Sequence, residues 1–308
     1  MIARCCEGGL AESGMICCGS SGQEDMVKTI SQVVAIAAMT AVLADPLVTT
    51  AAAAGQSAAG LTSPAPLEEA HRLFYSGRYE AAAALALEVR ANDAGNLDAS
   101  ELRTSALHFQ IRRALGDPKD RGKAWKLCAT CQDLMTIFLA EFTLGRAEAR
   151  ARLVTDPTDD EALFFLGKLD LNYVWLQLAT VGRKTGWSEY WEARKSLDEV
   201  LKRHPDHIRA RVARAWIDYI VDTKLPRGTK WMLGGGNKKR GLLVVREAAQ
   251  TTSETFVQAE AMFALWDMQV RERNLTDAIV TARALARDFP DNPDLAKFIT
   301  THDLRTSR

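Results

Sequence analysis

Residues 162–171, ALFFLGKLDL, and residues 190–205, YWEARKSLDEVLKRHP, decide the fold of this 308-residue chain. Their apolar residues recur every three or four positions, which is the period of an α-helix packed on one side against a core. Each stretch also holds a small residue among large ones, Gly167 in the first and Ala193 in the second, where two helices can approach closely. Pro205 ends the second stretch, because proline cannot continue a helix. Together the two stretches predict a pair of packed helices.

The same pattern recurs 48 residues further along the chain. The matched positions are Gly167 with Ala215, Asp170 with Asp218, Gly186 with Gly234, Ala193 with Gly241, Leu197 with Val245 and Val200 with Ala248. Shorter pairs of the same kind stand nearer the two ends of the chain, with key positions Ala70 and Ala82, and Trp266 and Ala278. Self-similarity at a fixed spacing is typical of proteins built from stacked repeats.

Each of these segments resembles a tetratricopeptide repeat, a helix pair with small residues at its eighth and twentieth positions. The outer two units keep the 12-residue step between those positions, although Trp266 is larger than the family prefers. The two central units have a step of 26, so each carries a 14-residue insertion, and segment 100–157 is helical but matches poorly. The resemblance implies an all-α fold, a right-handed α-solenoid of about five hairpins over residues 66–300.

Composition and charge agree with a helical binding protein. Alanine and leucine, which favour helix, are abundant. The 39 basic residues equal the 39 acidic ones, so a dominant nucleic-acid function is not indicated. No G-x-S-x-G, H-E-x-x-H or G-K-[ST] motif is present. We therefore expect a non-enzymatic protein without catalytic residues, cofactor or metal.

The N-terminal region predicts export. Residues 26–54 have a basic start, a short apolar run at 33–44 and small residues after it, as in a secretory signal peptide. The apolar run is too short to cross a bilayer well, so we expect no stable membrane span after cleavage. Residues 1–25 fit no such pattern and read as a misassigned, unstructured leader. Residues 55–65 read as a linker and 301–308 as a tail, with the mature protein in the periplasm or secreted.

The stretch WMLGGGNKKRG, residues 231–241, poses a choice between a turn and a binding site. Its glycines fall between the two helices of the fourth unit, where Asn237 would cap the second helix. A helix start preceded by glycines and cations can also hold an anionic group. The candidate residues are Arg227, Lys230, Gly234, Gly235, Gly236, Asn237, Lys238, Lys239 and Arg240.

Four tryptophans form a second candidate group. Trp175, Trp187 and Trp191 surround the insertion of the third unit, and Trp231 opens the glycine stretch. Aromatic side chains line ligand pockets and anchor interfaces, but they also fill helical cores. Because the two extended units are adjacent, we expect both candidate groups to be neighbours in space. The Gly-Gly motif between the helices also weakly resembles that of tetratricopeptide subunits associated with periplasmic TRAP-type transporters.

Cys128 and Cys131, in CATC, are the cysteine pair of the predicted mature chain. In an exported protein this pair predicts a structural disulfide, with a reactive redox centre as the alternative. No second pair of ligands is spaced to complete a zinc site.

Two functions follow as expectations. The first is a repeat scaffold that binds a protein partner in the bacterial periplasm, on the concave surface that solenoids usually present. The alternative is an accessory protein of a transport system that binds a small anionic ligand in a tryptophan-rich pocket beside the cationic turn. An enzyme would require a convergent acid–base pair in that pocket.

Overall fold

The computed structural model describes residues 65–116, 118–183, 185–224, 230–251 and 253–306. These residues form twelve α-helices and no strand, which confirms the predicted all-α class. The helices are α1 (Pro66–Tyr75), α2 (Tyr79–Asn92), α3 (Leu97–Leu115), α4 (Arg121–Leu127), α5 (Ala129–Thr155), α6 (Asp160–Trp175), α7 (Trp187–Arg203), α8 (Ile208–Lys224), α9 (Lys238–Gln250), α10 (Thr255–Arg271), α11 (Leu275–Asp288) and α12 (Pro293–Thr306). The predicted leader, the predicted signal peptide and all but the last residue of the predicted linker lie outside the described residues.

Most helices that follow one another in the chain pack together, from α1 on α2 to α11 on α12, and α3 packs on α5 rather than on the short α4. The small residues of the repeat pattern lie at these crossings. A Cβ added at Gly167 would lie 3.1 Å from Leu197 Cγ, and one at Gly241 would lie 2.8 Å from the Ala215 carbonyl oxygen. These positions are small because the facing helix leaves no room for a larger side chain.

The two predicted insertions form short helical turns of other kinds. Residues Leu176–Val181 continue α6 as a π-helix, and Lys230–Leu233 form a 3₁₀-helix before α9. Towards the C-terminus, α12 continues to Thr306, into the segment predicted as a tail. Trp266 of α10 packs its ring edge against Phe298 of α12, with 5.4 Å between ring centroids. The large residue at this small-residue position thus contacts the last helix.

Five helices, here called the inner helices, form a closed circuit of contacts: α1, α3, α6, α8 and α10. The circuit closes because α10 contacts α1, and because the start of α12 reaches the end of α1. Asn292 donates its side-chain amide to the Tyr75 carbonyl oxygen at 2.7 Å. Tyr75 itself packs with Phe289 and Leu295 in one apolar cluster. The first and last helix pairs therefore share a core.

An ion network joins the inner helices where they meet, and every inner helix contributes to it. Its members, here called the central ion network, are His71 of α1, Asp98 and Glu101 of α3, Lys168 of α6, Arg209 of α8 and Glu260 of α10. Glu260 accepts from Lys168 Nζ at 2.5 Å and from Arg209 Nε at 2.7 Å. Arg209 also reaches Glu101 at 3.2 Å. The surface on which a repeat protein could hold a partner is here filled by the protein's own side chains.

Opposite charges set the ionisation of this network. Burial would raise the pKa of Asp98, but the hydrogen bond from His71 and the charge of Arg209 outweigh it and lower that pKa to about 2. Burial likewise opposes ionisation of Glu260, and the charges of Lys168 and Arg209 overcome it and lower its pKa. Asp98 and Glu260 therefore stay ionised at neutral pH, and their ion pairs link the inner helices.

No single helix of the described residues combines the length and apolar composition needed to cross a bilayer. The pair α4 and α5 meets that test only when the two are joined across an 89° bend.

Candidate functional site

The glycine turn before α9 is required by the backbone. Gly234 and Gly235 have φ angles of +73° and +74°, in the left-handed region that favours glycine. Gly236 is confined by α8: an added Cβ would lie 2.7 Å from both the Asp218 carbonyl oxygen and the Asp222 amide nitrogen. The three glycines thus let the chain turn while lying directly against the preceding helix.

Two side chains of α7 hold this turn. Tyr190 donates its hydroxyl to the Leu233 carbonyl oxygen at 2.8 Å. The Arg194 guanidinium donates to the carbonyl oxygens of Gly234 at 2.8 Å and Leu233 at 3.0 Å. The tryptophan-rich segment and the glycine-rich segment therefore meet, through Tyr190 and Arg194. Because the turn directs carbonyl oxygens at a cation, this side of it is unsuited to an anion.

The start of α9 already holds a carboxylate of the protein itself. Asp222 of α8 accepts from the Lys238 backbone N–H at 2.8 Å and pairs with the Lys230 ammonium. The hydrogen bond from Lys230 and the Lys238 N–H lower the pKa of Asp222. Asn237 caps the helix, as predicted, by accepting from the Arg240 N–H at 2.9 Å. A ligand anion at this helix start would have to displace Asp222.

The predicted cations are therefore not equivalent. Lys230 is paired with Asp222, and Lys238 Nζ binds Glu272 at 2.7 Å. Lys239 and Arg240 are exposed and form no ion pair with any residue that the structure describes. Arg227 lies outside the described residues.

Arg240 stands at a groove of 280 Å³ between α7, α8 and α9, here called the arginine groove. Its lining residues are Leu201, Pro205, Arg211, Arg214, Ala215, Asp218, Arg240, Gly241 and Val244. Arg211 is paired with Glu247 at 2.9 Å, and Arg214 with Asp198 and Asp218 at 2.6 Å each. Arg240 thus supplies the groove with a cation that carries no carboxylate partner from the described part of the chain. Together with the apolar floor, that cation suits a small molecule bearing one negative charge.

The tryptophans separate into two kinds. Trp187 and Trp191 are 45% and 44% exposed, and their four-residue spacing places them on one face of α7. Trp175 is partly buried and packs against the apolar core shared by α6, α7 and α8. No ring contact joins these three tryptophans within the described residues. Trp231 belongs to the 3₁₀-helix, and its side chain lies outside what the structure describes.

Cys128 and Cys131 are joined by a disulfide at the junction of α4 and α5. Cys128 is the N-cap residue of α5, and its sulfur accepts from the Cys131 backbone N–H at 3.2 Å. Cys131 is fully buried, whereas Cys128 is partly exposed. The two residues therefore differ in their exposure to solvent.

A buried acid on α6 was missed in the sequence. Asp170 is fully buried, and its Oδ1 lies 2.7 Å from Nε of Arg146. Burial raises the pKa of Asp170 to about 9; the charge of Arg146 opposes the shift, and the charge of Glu192 adds to it. With Asp170 protonated, the charges of the cluster balance, because the two acids Glu189 and Glu192 are matched by the two cations Arg146 and Arg150. Its signal was the match of Asp170 with Asp218, which placed acids at equivalent points of two repeats.

Metal-binding geometry and similarity to known proteins are two further guides to the function of a protein. Within the described residues, no group of three or more His, Cys, Asp or Glu side chains is placed to hold a metal ion. Comparison of the chain with protein-family models, with curated proteins and with solved structures finds no match.

Proposed function

We propose that the protein is an exported, non-enzymatic repeat scaffold of the tetratricopeptide type that binds a protein partner. The paired helices and their close crossings at small residues support an arrangement as a right-handed α-solenoid of about five hairpins. The signal-peptide pattern of residues 26–54 supports a place in the periplasm. The partner surface is not the inner one, because the central ion network occupies it.

Exposure of Trp187 and Trp191 on α7 carries this proposal. Two tryptophans that leave nearly half of their surface in water contribute little to the core and offer large apolar areas to a partner. Tryptophan is also among the residues that most often dominate the free energy of protein association. Arg194 and Tyr190 fix α7 against the glycine turn, so the pair projects from a held helix.

The test is affinity capture from a periplasmic extract with the wild-type protein and the double variant Trp187→Ala, Trp191→Ala. We expect a stoichiometric protein partner with the wild type and at least about 30-fold weaker capture with the variant, because the loss of even one anchor costs about 2 kcal/mol. Val280→Ala on α11 is the matched control, since Val280 is 63% exposed on a different helix. Equal capture by the wild type and the double variant would contradict the proposal.

The second candidate is a ligand-binding accessory protein of a transport system, and the arginine groove favours it. Its single uncompensated cation and apolar floor fit a small molecule with one carboxylate group. Native mass spectrometry of protein purified from the periplasm should then show a bound small anion. Arg240→Glu should remove it, while Lys239→Glu should not, because Lys239 is exposed beside the groove without lining it. Retention of the anion by Arg240→Glu would refute this candidate.

A further inference from the structure

The disulfide at the start of α5 has the arrangement of a reactive dithiol site. Cys128 caps a helix of 27 residues, and its sulfur receives the Cys131 N–H. The N-terminal end of a helix favours a negative charge, so it stabilises a Cys128 thiolate over the thiol. A reduced Cys128 would therefore be a good leaving group and a nucleophile at neutral pH.

Solvent access determines which sulfur can react. Cys131 is fully buried and packs with Ile111, Met135 and Phe138 in one apolar cluster. Cys128 lies at the surface side of the same cluster. Because Cys131 is closed to solvent, an incoming thiolate attacks Cys128, and Cys131 is the leaving sulfur.

A docking surface adjoins Cys128. A cavity of 390 Å³ is lined by Trp125, Lys126, Gln132, Met135 and Arg183, which come from the residues flanking the cysteine pair and from the loop after the π-helix. Arg183 lies over the Trp125 ring, 5.4 Å from its centroid. Leu127, immediately before Cys128, is 76% exposed. Leu127 follows the cavity-lining Lys126 in the chain, so an extended peptide that enters the cavity can contact its apolar side chain.

We propose that Cys128 and Cys131 form a thiol–disulfide exchange site whose substrate is a cysteine-containing, unfolded segment of another protein. A substrate thiolate attacks Cys128 Sγ; the bond to Cys131 breaks, and Cys131 leaves as a thiolate that takes up a proton. The resulting Cys131 thiol can donate to the Ile111 carbonyl oxygen, which lies 4.0 Å from Cys131 Sγ. A second substrate thiolate attacks the substrate sulfur of the mixed disulfide and releases Cys128. The two substrate thiols lose two electrons and two protons: the cysteine pair gains both electrons, Cys131 takes up one proton, and the other proton goes to solvent because Cys128 is released as a thiolate.

The test uses the oxidised wild-type protein and a synthetic peptide that contains two cysteines. The fluorescence of the peptide changes when these two cysteines form a disulfide. We expect one mole of peptide disulfide per mole of protein, at least about tenfold faster than with oxidised glutathione at equal disulfide concentration. A rate no greater than that of glutathione would overturn the proposal and leave a structural disulfide. This measurement needs no variant, so a folding defect cannot obscure it.

One variant and one labelling experiment locate the chemistry. Leu127→Ser should slow oxidation of the peptide but leave exchange with glutathione unchanged, because only the peptide uses the docking surface. In the reduced wild-type protein, iodoacetamide should modify Cys128 at least about tenfold faster than Cys131, as peptide mass spectrometry would show. Equal modification rates, or an unchanged peptide rate in Leu127→Ser, would count against the assigned roles.

Discussion

Gly236 shows how closely single residues are constrained at the turn before α9. Its position against the backbone of α8 leaves no volume for a Cβ, whereas Gly235 has no atom within 4 Å of an added Cβ. We expect Gly236→Ala to lower the free energy of unfolding by about 2–3 kcal/mol, because the added Cβ can be accommodated only if the turn and the backbone of α8 move apart. Gly235→Ala should cost about 1 kcal/mol, from its positive φ alone. Urea unfolding of both variants measures the difference, and equal costs would refute the close packing.

Asp170 makes the free energy of unfolding depend on pH. Its pKa of about 9 in the folded state exceeds the ordinary value of 3.8 that applies on unfolding. Between pH 4 and pH 9 Asp170 is protonated in the folded state but ionised in the unfolded state. The free energy of unfolding is therefore highest below pH 4 and falls as the pH rises towards 9. The slope approaches about 1.4 kcal/mol per pH unit.

Asp170→Asn tests this charge state directly, because asparagine imitates the protonated acid but has no proton to lose. We expect the free energy of unfolding of the variant to fall less steeply than that of the wild type between pH 5 and 8, and the variant to be the more stable of the two at pH 8. Asp206→Asn in an exposed loop should keep the wild-type slope. Parallel curves for Asp170→Asn and the wild type would show an ionised Asp170.

Among single residues, the sequence predicted what depends on neighbours in the chain. The Asn237 cap follows from local spacing, and the small residues follow from the repeat. Arg194 was missed because its partners are backbone carbonyl oxygens about 40 residues away, which leave no trace in residue type. Asp222 was missed because its role as the anion at α9 appears only when α8 and α9 are packed.

Among the contacts between elements, those of Asp222 stabilise the junction of α8 and α9. We expect Asp222→Ala to cost about 1–2 kcal/mol, because it removes a carboxylate from the start of α9 and leaves Lys230 unpaired. Sulfate should then raise the melting temperature of the variant more than that of the wild type, by occupying the vacated position. Asp206→Ala is the control in thermal unfolding with and without sulfate. An equal effect of sulfate on both variants would show that no anion position was opened.

Helix pairs were predictable from periodicity, but the connections within them were not. The insertions carry no regular pattern, so neither the π-helix at Leu176–Val181 nor the 3₁₀-helix at Lys230–Leu233 could be foreseen. Segment 100–157 matched poorly because α4 interrupts its hairpin. Yet Gly145 of α5 stands 48 residues before Ala193, and an added Cβ there would lie 3.0 Å from Leu169. The second half of that unit therefore did carry the repeat signal.

For the whole molecule, the central ion network decides how firmly the inner helices are joined. We expect Arg209→Met to lower the free energy of unfolding by about 3–5 kcal/mol, because the buried Glu101 and the partly buried Asp98 and Glu260 lose their shared cation. Arg211→Met, which removes an exposed pair with Glu247, should cost less than about 1 kcal/mol. Urea unfolding compares them, and similar costs would mean that the network is not a structural centre.

The closed circuit of inner helices could not be read from the sequence. Arg209 and Asp98 lie 111 residues apart, and repeat signatures describe each unit against its neighbour only. The sequence therefore predicted an open concave surface, and it predicted neither the filled interior nor the exposed position of Trp187 and Trp191.

The bond from Asn292 to Tyr75 spans 217 residues, so the order of synthesis bears on folding. In an open array the first repeats can fold as they leave the ribosome, since each needs only its neighbour. Here the first hairpin lacks part of its core until the last one has been made, and contacts of such long range also slow folding. A nascent chain of this kind stays unfolded for longer, which would suit the export through a translocation channel that we propose.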